Sequence, residues 1–208
     1  MTFSEFQSKI NHIRTTNLGG LKTHFLMAPG LRKRYDALKI KARNPKRAAV
    51  LVLFYPDEQG QTRFLLTQRA SYKGTHSAQI SFPGGKIEKS DIDLKETAIR
   101  EAFEEVGIQK ETIEIIREIT DVYIPPSNFL ATPFIGFTNQ KPVFKPNYEV
   151  ALLIETLASD LLNDSSLSKI MMNTSYMKNI EVPCFTLNEH IVWGATAMML
   201  SEIKELLK

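Results

Sequence analysis

Glu101, Glu104 and Glu105 crowd three carboxylates into a single turn of helix-forming sequence, with Arg100 immediately before them. Glu101 and Glu105 stand four residues apart, and Glu104 lies beside them, so the charges repel one another along the helix. No lysine follows in the helix to offset them. Arg100 is spaced to pair with Glu96 or Glu104 and so to orient the cluster. Such a group is either an ordinary solvated acidic face or a seat for hard divalent cations, which take oxygen ligands and commonly arrive with substrate phosphates. Gly84 and Gly85 just upstream favour the second reading. They let backbone approach a ligand closely, beside the carboxylates.

These side chains need a helix and a sheet to hold them. Asp93 with Glu96 makes an aspartate version of a capping box, and a helix runs from about Leu94 to Val106, closed by Gly107. Ile99, Ala102, Phe103 and Val106 are expected on the face packed against the sheet, with the three glutamates on the other side. Residues 48–55 read as a buried strand, and 63–69 as its antiparallel return across the turn at 56–60. Short strands are expected at 80–82 and 132–138, with alternating strand and loop over 113–124. Residues 150–156 read as a strand or a helix start. A helix is expected over 3–13 and another over 195–207. Residues 163–173 read as a polar interval with room for a short helix, and 183–187 and 190–193 as short extended pieces. Strands with few long helices predict an α/β protein, a mixed sheet with helices packed on it.

The 208 residues, 43% apolar and 24% charged, suit a globular chain with a real core. A net charge of +3 does not argue for nucleic-acid binding, and none is expected. The basic run Arg32, Lys33, Arg34, Lys39, Lys41, Arg43, Lys46, Arg47 reads as a solvated arm or as a patch touching an anionic ligand. One cysteine, Cys184, excludes an intrachain disulfide and a cysteine-rich zinc site. It reads as a small buried apolar group. His12, His24, His76 and His190 are scattered. No stretch approaches a membrane span, and no apolar leader with a cleavage site is evident, so a cytoplasmic protein without membrane contact is expected.

The segment Gly85 to Ile108 resembles the signature box of the Nudix hydrolases: Gly, five residues, Glu, seven residues, Arg-Glu-apolar-x-Glu-Glu-x-Gly-apolar. Gly85 takes the first place, and Arg100-Glu101-Ala102-Phe103-Glu104-Glu105-Val106-Gly107-Ile108 matches the second half in full. Asp91 stands where the first glutamate belongs, with one residue too many between it and Arg100. Leu65-Leu66-Thr67-Gln68-Arg69 and Phe82-Pro83-Gly84-Gly85, with His76 between them, resemble the coenzyme A pyrophosphatase branch. So do Met27-Ala28-Pro29, Pro126-Ser127-Asn128-Phe129 and residues 191–197. Two positions depart from that branch: Gly74 occupies the usual arginine place, with Lys73 adjacent, and Ala78 replaces a glycine.

The resemblance implies a Nudix-type α/β/α sandwich over 47–208, with 1–46 an N-terminal helix and basic extension packed on it. It implies hydrolysis of the pyrophosphate bond of coenzyme A or a derivative, using Mg²⁺ or Mn²⁺ and giving 3′,5′-ADP and 4′-phosphopantetheine. Hydrolysis of another nucleoside diphosphate derivative, such as ADP-ribose or NADH, and a catalytically weak nucleotide-binding protein are the alternatives. Glu101, Glu104, Glu105 and the carbonyl of Gly85 are the implied metal ligands, with Glu101 alternatively the base. Glu149 is a candidate base or further ligand, or else a solvated glutamate before a strand. Arg100 orients carboxylates. Arg69 either contacts phosphate or forms a salt bridge at a strand end. Lys73 and His76 are candidates to approach the 3′-phosphate, and Tyr72 and Phe129 either stack on adenine or fill a loop core. A homodimer is the default assembly.

Overall fold

A computed structural model describes residues 1–30, 35–70, 79–174 and 177–208. Before the sheet, the described residues form the helices α1 (Phe3–Thr15), α2 (Gly20–His24) and α3 (Ala37–Ala42). The strands β1 (Lys46–Pro56), β2 (Thr62–Arg69), β3 (Ile80–Ser81) and β4 (Gly84–Lys86) lead to helix α4 (Leu94–Val106). Then come β5 (Glu114–Glu118), β6 (Val122–Ile124), β7 (Phe129–Phe137) and β8 (Val150–Leu157), followed by α5 (Ala158–Leu162). The chain closes with β9 (Leu167–Thr174), β10 (Met177–Leu187), β11 (His190–Trp193) and α6 (Gly194–Leu207).

The central strand β1 is apolar on both faces, and each parity goes to a different core. Ala48, Val52 and Phe54 enter one cluster with Phe3, Phe6 and Ile13 of α1 and Ala197, Leu200 and Ile203 of α6. Ala49, Leu51, Leu53 and Tyr55 enter the other with Ala98, Ala102 and Val106 of α4. The two-residue strand period thus sets helices on both sides of one sheet, an α/β/α sandwich.

Along one edge β1 runs parallel to β7 from Lys46↔Phe129 to Phe54↔Phe137. Its other edge is shared. The expected hairpin to β2 pairs only at Phe54–Pro56, while Ala48–Val50 pair with β4. β2 behaves alike: β8 pairs along it from Arg63 to Arg69, leaving the opposite edge to β1 at one end and β3 at the other. The hairpin therefore splays, and the segment from Ile80 to Lys86 fills the wedge. That is how Gly84 and Gly85 come to lie against the middle of the sheet.

Residues 150–156, ambiguous in sequence, are a strand. The interval 163–173 is mostly strand rather than polar loop: a short 3-10 turn at Asp164–Ser166 leads into β9. β9, β10 and β11 form a separate antiparallel sheet, and β10 begins earlier than its proline suggested. Pro183 is tolerated because β11 starts pairing only at Cys184, so the missing N–H falls where the ladder has not begun on that side.

The chain before β1 is tied to α6 by a fully buried carboxylate. Glu202 accepts hydrogen bonds from Gly20 N (2.6 Å), Thr120 N (3.0 Å) and Thr120 Oγ1 (2.8 Å), and stands 3.4 Å from Nε2 of buried His24. Burial pushes its pKa up, but the nearby His24 and the bonds from Thr120 and Gly20 outweigh that and hold it below the usual value. The folded state therefore gains stability from ionised Glu202 above the unfolded pKa of about 4.3 and loses it as pH falls toward the lower folded value. Glu202→Gln, which turns an amide N–H₂ toward a backbone donor, is expected to cost about 2 kcal/mol at pH 7. Urea unfolding should show the gap to wild type closing below about pH 4, and a gap that stays constant with pH would contradict this account.

Candidate active site

Helix α4 starts and stops where its residues dictate. Asp93 caps it by accepting from Glu96 N at 2.8 Å, and the Glu96 carboxylate returns to Ile92 N at 2.6 Å, one residue earlier than a standard capping box. Gly107 ends it at φ 75°, a left-handed conformation that suits glycine. Two carbonyls of the last turn, Glu105 O and Val106 O, accept from Asn147 N (2.9 Å) and Lys145 N (2.8 Å). The segment preceding β8 is thereby laid across the helix end.

The buried stripe of α4 is Ala98, Ala102, Glu105 and Val106, which corrects the expected face. Two alanines let the helix approach the sheet closely. Phe103 lies a third of a turn away and is 42% exposed, with Lys110 Nζ 5.4 Å over its ring. Glu105, expected in solvent, is buried. Its Oε2 accepts from Gly84 N at 3.0 Å. Burial pushes its pKa up to about 7, against the pull of the Gly84 N–H and Arg69 and with the push of Glu101 and Glu149.

Arg100 uses all five guanidinium donors. Nε and Nη2 form a bidentate pair with Asp91 (2.8 and 3.0 Å), Nη1 reaches Glu101 (3.0 Å) and Glu104 (3.1 Å), and Nη2 also reaches Lys86 O (3.1 Å). Asp91 in turn accepts from Glu88 N and Thr97 Oγ1, each at 2.9 Å. Hydrogen bonds from Arg100 hold its carboxyl well below the usual range, against the opposing effect of burial. The residue that broke the sequence pattern is thus the anchor of the arginine that aims Glu101 and Glu104. Its partners, rather than the spacing, reveal this. Asp91→Asn is expected to cost about 3 kcal/mol, because an amide cannot accept from all four donors. A loss under 1 kcal/mol by thermal or urea unfolding would refute that role.

Glu101 lies between Arg100 and Gly85, and a Cβ at Gly85 would fall 2.7 Å from Glu101 Oε2. Burial raises its pKa, with Arg100 pulling down and Glu104 and Glu149 pushing up. Glu104 is half exposed. Glu149 joins the group. Its N–H donates to Asn147 Oδ1 at 2.8 Å, its O accepts from Ala70 N at 2.8 Å, and its Oε2 accepts from Arg69 Nη2 at 2.9 Å. Arg69 Nη1 is 3.9 Å from Glu105 Oε1. Arg69 therefore makes the strand-end salt bridge, and does so inside the acidic cluster. Asn147, which positions Glu149 over the helix end, carried no signal in the sequence.

Phe129 does not join the cluster. It pairs with Lys46 at the start of β7 and packs against the core on the α1 and α6 side of the sheet, opposite α4. Lys46 Nζ stands 5.9 Å over its ring. Tyr72, Lys73 and His76, and Arg32, Lys33 and Arg34 of the basic run, lie outside the described residues. Cys184 is buried, as expected.

The model of the NUDIX domain matches residues 45–157, from the first residue of β1's approach to the end of β8. The chain belongs to the Nudix family. This Nudix chain is 31% identical to Nudix hydrolase 15, mitochondrial, of Arabidopsis thaliana, over 75% of its own length and 56% of the relative's. It spans little more than half of that relative and of Nudix hydrolase 22, chloroplastic, from the same plant. It is 30% identical to an uncharacterized Nudix hydrolase NudL of Enterobacter sp. (strain 638), over 88% of this chain and 96% of that one. Among solved structures, a MutT/nudix family protein of Enterococcus faecalis superposes with TM-score 0.52 at 14% identity, covering 97% of this chain and 73% of that one, a likeness of fold. Among the described residues no helix is long and apolar enough to cross a membrane.

Nudix hydrolases generally use divalent metals such as Mg²⁺ or Mn²⁺. Among the described residues no three acidic, histidine or cysteine side chains are already gathered as a ligand set. Arg100 and Arg69 hold the carboxylates instead. The donor chemistry still fits the metal. Burial raises the pKa of Glu101 and Glu105, and Glu149 adds to the shift of both, a repulsion that a bound cation would relieve. All donors are oxygens, as Mg²⁺ and Mn²⁺ require. The bare Cα of Gly85 makes room for the Glu101 carboxylate where any other residue would displace it.

Proposed function

We propose that this Nudix protein hydrolyses the pyrophosphate linkage of coenzyme A or a derivative, giving 3′,5′-ADP and 4′-phosphopantetheine. The observation that carries the hydrolase reading is the convergence of Glu101, Glu105 and Glu149 beside Gly84 and Gly85 with two arginines among them. Glu101, Glu104, Glu105 and the Gly85 carbonyl would hold the metal. Bound there, Mg²⁺ or Mn²⁺ would neutralise phosphate charge and lower the pKa of water. Arg100, fixed by Asp91, keeps Glu101 and Glu104 aimed into the site. Glu101 or Glu149 takes the proton of the attacking water. Burial raises the Glu101 carboxyl above its usual value, which favours proton acceptance there. Helix α4 and strand β4 flank the carboxylates on one side, and the segment before β8 brings Glu149 to them.

The coenzyme A assignment rests on residues 65–69 and 82–85, which match that branch. Gly74 and Ala78, which depart from it, favour a second reading, hydrolysis of another nucleoside diphosphate derivative such as ADP-ribose or NADH. Product identification separates them. The protein would be incubated with Mg²⁺ or Mn²⁺ and coenzyme A, ADP-ribose, NADH or a dinucleoside polyphosphate, then the products weighed by mass spectrometry, with Glu104→Gln as control. 3′,5′-ADP and phosphopantetheine, absent in the control, support the first reading. Cleavage of the others with coenzyme A intact supports the second. No cleavage at all would leave a nucleotide-binding protein.

A further inference from the structure

The two arginines among the carboxylates are held very differently. Arg100 is 11% exposed, is gripped from below by the buried Asp91, and spends its remaining donors on Glu101, Glu104 and a carbonyl. Arg69 is 27% exposed, at the end of β2 where the ladder to β8 slips register. It stands 2.9 Å from Glu149, itself 38% exposed, and only 3.9 Å from the buried Glu105. One guanidinium thus spans two of the carboxylates on which a metal would draw.

We propose that Arg69 is an internal counter-cation that competes with the divalent metal for Glu105 and Glu149. The inference rests on the reading of this cluster as the metal site. Among the described residues the buried Glu105 carboxylate has the Gly84 N–H and Arg69 to offset the charges of Glu101 and Glu149, and without a metal Arg69 supplies the positive charge. With a metal, the same position holds two cations against one pair of carboxylates, and the guanidinium must swing out. Arg69 is then a positioning residue whose energetic role is paid back on metal entry, and its released planar fork suits a diphosphate oxygen pair.

The test is Mn²⁺ binding without nucleotide, followed by the electron paramagnetic resonance of free Mn²⁺, with folding checked by circular dichroism. Removing a neighbouring unit charge should tighten Mn²⁺ binding about tenfold in Arg69→Met and in Arg69→Gln, the second neutral variant in case the first fails to fold. Arg69→Lys, which keeps the charge, should stay within about twofold of wild type. Lys169→Met, the same charge change on a surface hairpin, should also leave the Kd unchanged. Weaker or unchanged binding in the folded neutral variants, or equal tightening in Lys169→Met, would overturn the proposal. Absence of Mn²⁺ binding in the wild type would overturn the metal site itself, and the proposal with it.

Discussion

Glu101→Gln is expected to lower kcat about 10³-fold, the range for loss of a metal-bound or proton-accepting carboxylate, with little change in stability. Glutamine has the same shape, so its Oε1 can still accept from Arg100 Nη1, and it still fits against Gly85. What it lacks is the negative charge, in the position where burial and two neighbouring glutamates already make that charge hard to keep. Relief of that repulsion offsets the lost ion pair, so the unfolding midpoint should move by no more than a few degrees. Steady-state kinetics on whichever nucleotide the product analysis identifies, with a thermal melt, decides the matter. A folded variant retaining more than about a tenth of wild-type kcat would remove Glu101 from the chemistry.

The adjacent glycines should respond to alanine in opposite ways. At Gly84 a Cβ would strike the carbonyl of Ala49 and sit 2.6 Å from Val50 Cα, both backbone atoms of the central strand. Neither can move without parting β4 from β1, so Gly84→Ala is expected to cost about 4 kcal/mol or more, or to prevent folding. At Gly85 the obstacle is the tip of one side chain, the Glu101 carboxylate at 2.5–2.7 Å. Gly85→Ala should therefore fold with a loss under about 1.5 kcal/mol, but with Glu101 pushed aside and kcat down about 10². Urea unfolding and kinetics on both variants test the pair. Equal destabilisation would mean that the wedge between β1 and β2 is softer than described.

What was legible in the sequence was what neighbouring residues decide. Asp93, Gly107 and the spacing between them bound α4, and the unbroken apolar run of β1 announced a strand buried on both faces. The Arg100 to Ile108 motif carried the family. What was not legible depended on distant chain. Glu105 is drawn inward by the N–H of Gly84, and Phe103 is left outside because Ala98 and Ala102 already fill the contact with the sheet. β9 has no clear alternation of its own and is a strand because β10 offers it a ladder. Asp91 looked like a defect in spacing until its four donors were seen to converge. Phe129 looked available for stacking, and the parity of β7 turns it to the other core.

The parallel pairing of β1 with β7 also constrains how this chain acquires its shape. The middle strand cannot be completed on that edge until a segment about eighty residues later has been made, and the loop closed between them must be paid for in entropy first. A nascent chain ending before Phe129 would thus hold β1 with one flank of N–H and C=O groups bare and two hydrophobic faces only partly covered. Refolding should accordingly be slow, on the order of milliseconds to seconds. Until β7 docks, β1 is the stretch of this sequence most prone to pair with a neighbouring molecule.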